Sequence, residues 1–288
     1  MTFRLIQKED ASLFAKYKGF GWEYCFPYLF IISHFGQFTM CYQDDVIYVK
    51  FVLPTKVYFL RPYLNDLSKL NNAIDNIYKY CQDHNLTFEI IGLRENDLDY
   101  ISDKYYTFST ENDSEYVYLS FDLIYLIGKK YQPKRNYINR FRYANNYTFI
   151  DYQEKYKKQV IELLNLWSKQ ANKINDVGEI LSALEVYEEL KTLNAFIKLL
   201  ISDNTLIGIV IGCLQNDIAY TMYEKALVEY EGSFQMINQL TASTCYHNVK
   251  YIDRMEDMGD EGLRKAKKSY YPCLMINKRR LIKKDLSY

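Results

Sequence analysis

The chain has 288 residues, 49% of them hydrophobic, and its 36 basic side chains balance 36 acidic ones. This composition suffices for a sizeable core and predicts two lobes. Six cysteines without a CxxC pair and three histidines without an HxxH or HxxxH group argue against a disulfide framework and a zinc site, so no metal is expected. The amino terminus lacks a signal-peptide core and no apolar run is long enough to span a bilayer, which predicts a cytoplasmic protein.

Charge and short motifs narrow the classes of function. Residues 1–115 are net acidic and residues 116–288 net basic, with the excess of bases in 129–142, 264–268 and 278–284. A polyanionic partner is therefore expected to meet the second half. The sequence has no GxGxxG followed by a helix, no Walker loop and no GxSxG elbow, which argues against nucleotide-dependent phosphoryl transfer and serine hydrolysis.

Residues 1–115 predict a mixed α/β lobe. The predicted elements are a helix near Glu9–Tyr17, strands at Tyr28–Ile32, Phe38–Tyr42 and Ile47–Phe51, a helix at Leu64–His84, a strand at Thr87–Leu93, a helix near Asn96–Lys104, and strands at Tyr105–Thr110 and Tyr116–Phe121. Apolar residues at helical spacing, such as Leu70, Ile74 and Ile77, support the long helix, and alternation supports the strands.

Residues 116–288 repeat this pattern and form the second predicted lobe. After a helix that starts near Pro133, the predicted elements are helices at Glu154–Lys169 and Val177–Leu193, strands at Ala195–Ile201, Thr205–Cys213 and Ile218–Lys225, a helix from Gly232-Ser233 to Tyr246, a strand at Lys250–Asp253, a helix at Gly259–Ser269 and a strand at Cys273–Lys278. Asp203-Asn204 is a turn-forming pair that predicts a hairpin between two of these strands.

Basic and aromatic residues alternate in the segment that begins this lobe. The polar candidates for contact with nucleic acid are Lys134, Arg135, Asn136 and Arg140. Bases interleaved with aromatic rings suit single-stranded or irregular RNA, such as the acceptor end of a tRNA. The alternative is a solvated helix face.

The stretch Asp253–Pro272, DRMEDMGDEGLRKAKKSYYP, has little that can serve as core. Its helix brings Arg264, Lys267 and Lys268 near one another, with acids at the amino-terminal end that suit the helix dipole. A well-capped surface helix or a structural ion-pair network would explain it equally. The basic tail Lys278–Lys284 is a candidate for contact with anionic lipid or RNA, or an untethered tail.

Three segments together resemble one bacterial family. They are Asp122–Phe141, DLIYLIGKKYQPKRNYINRF; Tyr223–Gln239, YEKALVEYEGSFQMINQ; and Asp253–Pro272. In this order they resemble the uncharacterised proteins grouped with the cytosolic C-terminal domain of phosphatidylglycerol lysyltransferases. The resemblance covers roughly residues 115–277. Where that family usually reads Arg-Glu-Glu-Asp, this chain has Arg254-Met255-Glu256-Asp257, so it lacks an acid at position 255.

The resemblance implies a tandem GNAT-like fold of class α/β (α+β), with two mixed-sheet lobes at residues 1–115 and 116–288, the second carrying the active site. Members with known activity move an amino acid from aminoacyl-tRNA onto a membrane lipid, and related tandem GNAT enzymes load cell-wall precursors. The expected activity is therefore aminoacyl transfer from tRNA to a lipid, peptide or small molecule, with peripheral contact to anionic lipid. The amino acid, the acceptor and the oligomeric state stay open.

Acyl transfer from an ester needs a base, stabilisation of the oxyanion and a proton for the leaving oxygen. On the resemblance, the candidate catalytic residues are Glu224, Arg254, Asp257, Lys267 and Tyr270. Candidate substrate-binding residues are Lys225, Gly232, Ser233, Asn238, Glu256 and Arg264. Glu224 lies near the end of a predicted strand, where GNAT folds splay open; the alternative is a salt bridge to Lys225 or another neighbour.

Gly232-Ser233 opens a helix after a strand, and its free backbone N–H groups are a candidate phosphate cradle. In GNAT enzymes this position receives the pyrophosphate of coenzyme A, but the sequence YEGS lacks the glycine-rich run of acyl-CoA binders. Two rivals to aminoacyl transfer remain: an acyl-CoA-dependent N-acyltransferase, and a GNAT-like pair of lobes that binds RNA or a metabolite without catalysis. Acetyl-CoA binding would favour the first rival and unchanged function in site variants the second.

Overall fold

The computed structural model describes residues 1–171 and 175–284 of the chain. These residues form two compact units. The first comprises Met1–Glu115, Glu256–Glu261 and the described residues from Met275 onward, and the second comprises Tyr116–Met255 and Gly262–Leu274. The change of unit after Glu115 falls where the sequence analysis places its lobe boundary. Two later segments return to the first unit, however, whereas all of 116–288 was expected in the second.

The strands of the described residues are β1 (Arg4–Leu5), β2 (Phe38–Gln43), β3 (Val46–Leu53), β4 (Lys56–Leu60), β5 (Glu89–Leu93), β6 (Tyr105–Ser109), β7 (Glu115–Leu119), β8 (Tyr147–Asp151), β9 (Ala195–Ser202), β10 (Thr205–Gln215), β11 (Ile218–Ala226), β12 (Tyr251–Asp253), β13 (Leu274–Ile276) and β14 (Arg279–Lys283). The α-helices are α1 (Ala11–Phe14), α2 (Phe26–His34), α3 (Leu70–Asp83), α4 (Ser120–Tyr125), α5 (Gln132–Ala144), α6 (Lys157–Ala171), α7 (Asn175–Glu185), α8 (Tyr187–Thr192), α9 (Ser233–Cys245) and α10 (Glu261–Lys268). None of these helices has both the length and the apolar composition needed to cross a bilayer.

The first unit is built on a mixed sheet with the strand order β1-β2-β3-β4-β5-β14-β6. Its strands pair antiparallel except β4 and β5, which run parallel. Helix α3 supplies one side of the core because Leu70, Ile74 and Ile77 recur at helical spacing and are fully buried. Its predicted apolar face is confirmed.

Three sequence expectations in the first unit are wrong. Residues predicted as a strand at Tyr28–Ile32 belong to α2, whose residues are buried on nearly every side, so hydrophobic periodicity could not distinguish helix from strand. The predicted helix near Asn96–Lys104 is a 3-10 helix at Glu95–Tyr100. The expected basic tail is instead strand β14, which lies between β5 and β6.

Strand β14 carries two arginines that form ion pairs within the protein. Arg280 contacts Asp113 at 2.6 Å and Glu89 at 3.0 Å, and both carboxylates are largely buried. Arg279 pairs with the exposed Glu95 at 3.2 Å. These contacts engage two of the tail's bases within the first unit's own sheet.

Lys278 lies at the centre of a buried ion cluster in the first unit. Its side chain is 2% exposed, and its Nζ lies 2.5 Å from Glu115, 2.7 Å from Glu23 and 3.5 Å from Glu256. The ammonium also lies 5.1 Å from the ring centroid of Trp22. We call Lys278, Glu23, Glu115 and Glu256 the Lys278 cluster. Three carboxylates around one lysine keep that lysine charged, and the surrounding acids raise its pKa despite burial.

We predict that stability declines between pH 5 and pH 8 because of Glu256. Burial raises the pKa of Glu256 to about 7, an effect that Lys278 opposes and the other two carboxylates reinforce. The folded state therefore holds this proton more tightly than the unfolded chain. The stabilisation is present below the unfolded pKa and is lost as the pH rises through about 7.

Urea unfolding at pH 5, 6.5 and 8 measures this effect. In Glu256→Gln, the decline in the free energy of unfolding between pH 5 and pH 8 is expected to be smaller by about 1–2 kcal/mol. Glu95→Gln, at a side chain that is 76% exposed, should leave this decline unchanged. Parallel pH profiles for wild type and Glu256→Gln would contradict the prediction.

The second sheet has the strand order β13-β7-β12-β11-β10-β9-β8 and is also mixed. β11 and β12 run parallel, while β12 pairs antiparallel with β7. The predicted hairpin at Asp203-Asn204 is confirmed: both residues have positive φ, 47° and 68°, as a tight two-residue turn requires, and Ser202 pairs with Thr205. The core beneath this sheet includes Tyr118, Ile237 and Phe141.

Helix boundaries in the second unit differ from the sequence expectation at two places. The single helix expected over Val177–Leu193 is divided into α7 and α8, with Val186 between them outside helical geometry. The strand expected at Tyr116–Phe121 ends at Leu119, and α4 follows directly. Helix α5 starts at Gln132 with Pro133 in its first turn, as predicted.

Candidate functional site

The candidate site lies where β11 and β12 part. The described pairing between these parallel strands extends only from Ile218 with Tyr251 to Tyr220 with Asp253. Beyond this point β11 continues along β10 to Ala226. The other strand stays with β7, because the N–H of Arg254 donates to Tyr116 O at 3.0 Å. Where β11 and β12 separate, the backbone and side chains of both strand edges face the gap between them.

Glu224, Arg254 and Asn238 come together at this gap from three different elements. Glu224 is on the part of β11 that pairs with β10 but no longer with β12, Arg254 directly follows β12, and Asn238 is in α9. The Arg254 guanidinium donates to Glu224 Oε1 at 3.0 Å, with side chains 11% and 9% exposed. The Asn238 amide donates to the other carboxylate oxygen at 3.3 Å.

Two polar atoms of this group are buried without a hydrogen-bond partner in the described residues. They are Oδ1 of Asn238 and Nε of Arg254. Buried polar groups in proteins are nearly always paired, so unfilled capacity at this position is the property expected of a ligand site. Burial alone would lower the pKa of Arg254, but the Glu224 carboxylate and the neighbouring tyrosines together outweigh burial and raise that pKa, which keeps the guanidinium charged.

Lys267 stabilises the backbone next to the Glu224–Arg254 pair and does not face the gap between β11 and β12. The residue is 5% exposed, and its Nζ donates to the backbone O of Arg254 at 2.8 Å and of Met255 at 2.9 Å. Its own carbonyl accepts from the Tyr118 hydroxyl at 2.8 Å. These bonds hold the turn after β12, where Met255 has a φ of 59°, a conformation costly for a residue other than glycine.

Tyr270 packs its ring beneath Arg254. The guanidinium carbon lies 5.3 Å from the ring centroid, and the residue is 5% exposed. Burial raises the pKa of Tyr270, an effect that Arg254 opposes, so the phenol stays protonated at neutral pH. A protonated phenol next to a buried guanidinium can donate a proton to an oxygen in the gap.

Lys225 lies on the opposite face of β11 from Glu224, as alternation along a strand requires. Its Nζ lies 4.0 Å from the ring centroid of Trp167 in α6. Tyr223, on that same face, donates to Glu179 in α7 at 2.8 Å. The described ion pair of Glu224 is with Arg254, so the alternative of a salt bridge to another neighbour describes this carboxylate.

Gly232 and Ser233 begin α9, but α5 covers this end of the helix. A Cβ on Gly232 would lie 2.3 Å from the backbone O of Tyr137. The N–H of Ser233 donates to Tyr230 O at 2.9 Å, and its hydroxyl donates to Leu227 O at 2.9 Å. Ser233 is 1% exposed. Both of its donors are thus used inside the protein.

We predict that Gly232→Ala destabilises the protein more than Gly128→Ala. Both glycines have positive φ, 87° and 96°, so both substitutions carry the backbone cost of about 1–2 kcal/mol. Only Gly232 also meets a backbone carbonyl, whereas a Cβ at Gly128 meets nothing within 4 Å. Thermal unfolding of both variants measures the difference, expected to exceed about 1 kcal/mol. Equal losses of stability in the two variants would show that α5 moves enough to accommodate the added methyl group.

The charged stretch after β12 is divided between the units. Asp257 is fully buried in the first unit and accepts from the N–H of Gly259 at 2.9 Å, and Glu256 joins the Lys278 cluster there. Arg264 and Lys267 belong to the second unit through α10. The described contacts therefore bring Glu224, Arg254, Lys267, Tyr270 and Asn238 together, whereas Glu256 belongs to the Lys278 cluster and Asp257 accepts from Gly259.

The residues expected to contact nucleic acid divide between two faces of α5. Asn136 and Arg140 are exposed and line a groove of about 400 Å³ with Lys129, Gln132, Pro133 and Tyr137. Arg140 forms an exposed ion pair with Glu231 at 2.6 Å. Arg135 instead binds the carbonyls of Leu126 and Gly128 and so closes the loop before α5.

Lys134 was expected to contact nucleic acid, but its side chain packs against the candidate site, a position that the sequence did not predict. Its Nζ lies 4.2 Å from the ring centroid of Tyr270 and 2.6 Å from the Ser269 hydroxyl. Burial, and then the charge of Arg254, lowers the pKa of Lys134 to about 8. Tyr118 and Ser269 were also missed. No sequence signal distinguishes Tyr118 among 30 tyrosines, and a helical wheel of α5 gives Lys134 no special position.

Comparison with solved structures defines the class of this fold. A conserved protein of unknown function from Bacteroides thetaiotaomicron superposes with a TM-score of 0.85 at 24% identity, covering 98% of this chain and 99% of the other. L-PGS from Bacillus licheniformis gives 0.69 at 13% identity, covering 98% and 93%. FemX gives 0.64 at 10% identity, covering 99% and 98%. The chain has the tandem GNAT-like fold, as expected.

Sequence comparison assigns the family. The family model described as phosphatidylglycerol lysyltransferase, C-terminal, matches residues 14–278. The chain belongs to this family, which confirms the resemblance seen in the sequence. No curated protein matches it.

Proposed function

We propose that this protein is an aminoacyltransferase that moves an amino acid from aminoacyl-tRNA to an amine or hydroxyl of a lipid, peptide or small-molecule acceptor. One observation carries the proposal: the buried Glu224–Arg254 pair lies where β11 and β12 part, with Asn238 Oδ1 and Arg254 Nε unsatisfied beside it. Membership of the lysyltransferase C-terminal family supports it, since the aminoacyl ester is then the expected donor.

The proposed reaction assigns one step to each side chain. The acceptor group attacks the ester carbonyl and gives its proton to the Glu224 carboxylate. The oxyanion that forms is stabilised by the Arg254 guanidinium, and the carbon–oxygen bond to the ribose then breaks as Tyr270 protonates the leaving oxygen. Solvent returns the proton from Glu224 to the Tyr270 phenolate. Lys267 acts only as a positioning residue, through the carbonyls of Arg254 and Met255.

The start of α9 supports an RNA donor over coenzyme A. A pyrophosphate held there would need free N–H groups and open space at Gly232 and Ser233. The Ser233 N–H is bonded to Tyr230 O, and Gly232 lies against the backbone of Tyr137. The exposed groove along α5 with Asn136 and Arg140 supplies polar and basic contacts for the donor's phosphates.

The deciding experiment uses the full chain with tRNA charged with a labelled pool of amino acids. Lipid vesicles, a peptide and small amines serve as acceptors, and transfer of label is measured. Glu224→Gln is expected to lose about 10²-fold or more of the rate while tRNA binding in a gel shift is kept. Glu162→Gln, at an exposed position of α6, is the matched control and should behave as wild type.

Two results would contradict the proposal. Acetyl transfer with saturable stabilisation by acetyl-CoA would identify an acyl-CoA-dependent enzyme. Binding of tRNA with no transfer, unchanged in Glu224→Gln, would identify a binding protein without catalysis.

A further inference from the structure

Lys134 is a partly buried cation that no described carboxylate neutralises. Its ammonium contacts the Tyr270 ring at 4.2 Å and the neutral Ser269 hydroxyl at 2.6 Å. Within residues 1–171 and 175–284, its contacts include no ion pair with a carboxylate. Lysines removed from water are normally paired with an acid, since burial of a charge without a counter-charge is unfavourable.

Arg254 lies against the same ring and has a donor to spare. Its guanidinium carbon is 5.3 Å from the Tyr270 centroid, and its buried Nε has no hydrogen-bond partner among the residues that the structure describes. The two cations are close enough that Arg254 contributes to the lowered pKa of Lys134. Like charges held this near each other repel, so the arrangement is stabilised when an anion lies between them.

The donors on the two cations indicate what kind of anion would fit. Lys134 offers its ammonium, which lies 2.6 Å from the Ser269 hydroxyl, and Arg254 offers its Nε, which has no partner among the described residues. An oxyanion with two available oxygens can accept from both donors.

We propose that Lys134 and Arg254 form a phosphodiester subsite over Tyr270, and that it takes the terminal phosphodiester of the donor RNA. A phosphodiester carries one negative charge on two oxygens, so one oxygen can accept from Arg254 Nε and the other from Lys134 Nζ. Lys134 is on α5, the helix whose exposed face carries Asn136 and Arg140, which favours RNA over a lipid headgroup. This assignment rests on the proposed function.

The test measures binding of soluble phosphodiesters to the full chain by calorimetry at low salt. The probes are the dinucleoside monophosphate CpA, its uncharged methylphosphonate analogue and glycerophosphoglycerol. Wild type is expected to bind CpA saturably, and Lys134→Gln should weaken that binding at least 10-fold. Lys134→Arg keeps the charge and should stay within about 3-fold of wild type. Lys158→Gln, an exposed lysine of α6, is the control and should leave binding unchanged.

Every other outcome overturns the assignment. If Lys134→Gln binds CpA as tightly as wild type does, the charge of Lys134 does not contribute to binding. If the methylphosphonate binds as tightly as CpA, the charge of the phosphodiester does not contribute. Tighter binding of glycerophosphoglycerol than of CpA would show that the subsite takes a lipid headgroup. If none of the probes binds, the protein has no phosphodiester subsite at this position. Circular dichroism of each variant checks its folding. The binding measurement does not depend on aminoacyl transfer. The subsite can therefore be disproved while transfer is observed, and transfer can be absent while the subsite binds CpA.

Discussion

Replacing Lys278 by methionine is expected to destabilise the protein by about 3–5 kcal/mol, because the loss of one partner leaves buried charges uncompensated. The variant removes the cation that lies within 3.5 Å of Glu23, Glu115 and Glu256. Glu115 is fully buried and Glu23 is 4% exposed, so water cannot replace the ammonium without rearrangement. Protonation of a carboxylate would relieve part of the cost at low pH.

Guanidinium unfolding at neutral pH measures the loss. The matched control is Arg279→Met, at the next residue in the chain, whose partner Glu95 is exposed, and its cost should stay near 1 kcal/mol or below. The double variant Lys278→Met/Glu115→Gln should recover part of the stability lost in Lys278→Met, because it leaves one uncompensated buried carboxylate fewer. A cost for Lys278→Met no larger than that of the control would show that the cluster takes up solvent easily.

Replacing Arg254 by methionine is expected to reduce transfer by about 10²–10³-fold, the effect of removing a buried group that stabilises an oxyanion. It should also cost about 3 kcal/mol of stability, since Glu224 is 9% exposed and its carboxylate would lose its cation. The two losses have different causes and can be separated.

A double-mutant cycle with Glu224→Gln separates them. The double variant should regain most of the stability that Arg254→Met loses, because no unpaired buried carboxylate remains, while transfer stays low. Urea unfolding gives the coupling free energy and the tRNA assay gives the rate. Transfer restored together with stability would contradict both proposed roles, because the double variant lacks the Glu224 base as well as the Arg254 guanidinium.

The sequence predicted the elements whose chemistry is local. Asp203-Asn204 forms its hairpin turn because Asn and Asp tolerate positive φ, and α3 shows its apolar face because only one side of this helix is buried. Helix α2 could not be predicted in the same way, since burial on nearly all sides erases the periodic signal. The resemblance of three segments to the lysyltransferase family nevertheless predicted the tandem GNAT-like fold.

The candidate site was predictable only in part, for a similar reason. Glu224, Arg254 and Lys267 stood out as charges near strand and helix ends, and the structure brings them together. The inward orientation of Lys134 depends on how α5 packs on Tyr270, a long-range contact that spacing does not encode. The grouping of Lys278 with three acids depends on a strand that joins the first sheet from far along the chain.

That late strand has a consequence for biosynthesis. β14 separates β5 from β6 inside the first sheet, so a ribosome must translate nearly the whole chain before the early lobe can close its hydrogen bonding. Until then β5 and β6 present open edges, which invite pairing with other nascent chains. Fragments that stop before Arg279 should therefore aggregate, and cutting the gene at the codon for Glu115 should not yield an independently folding half.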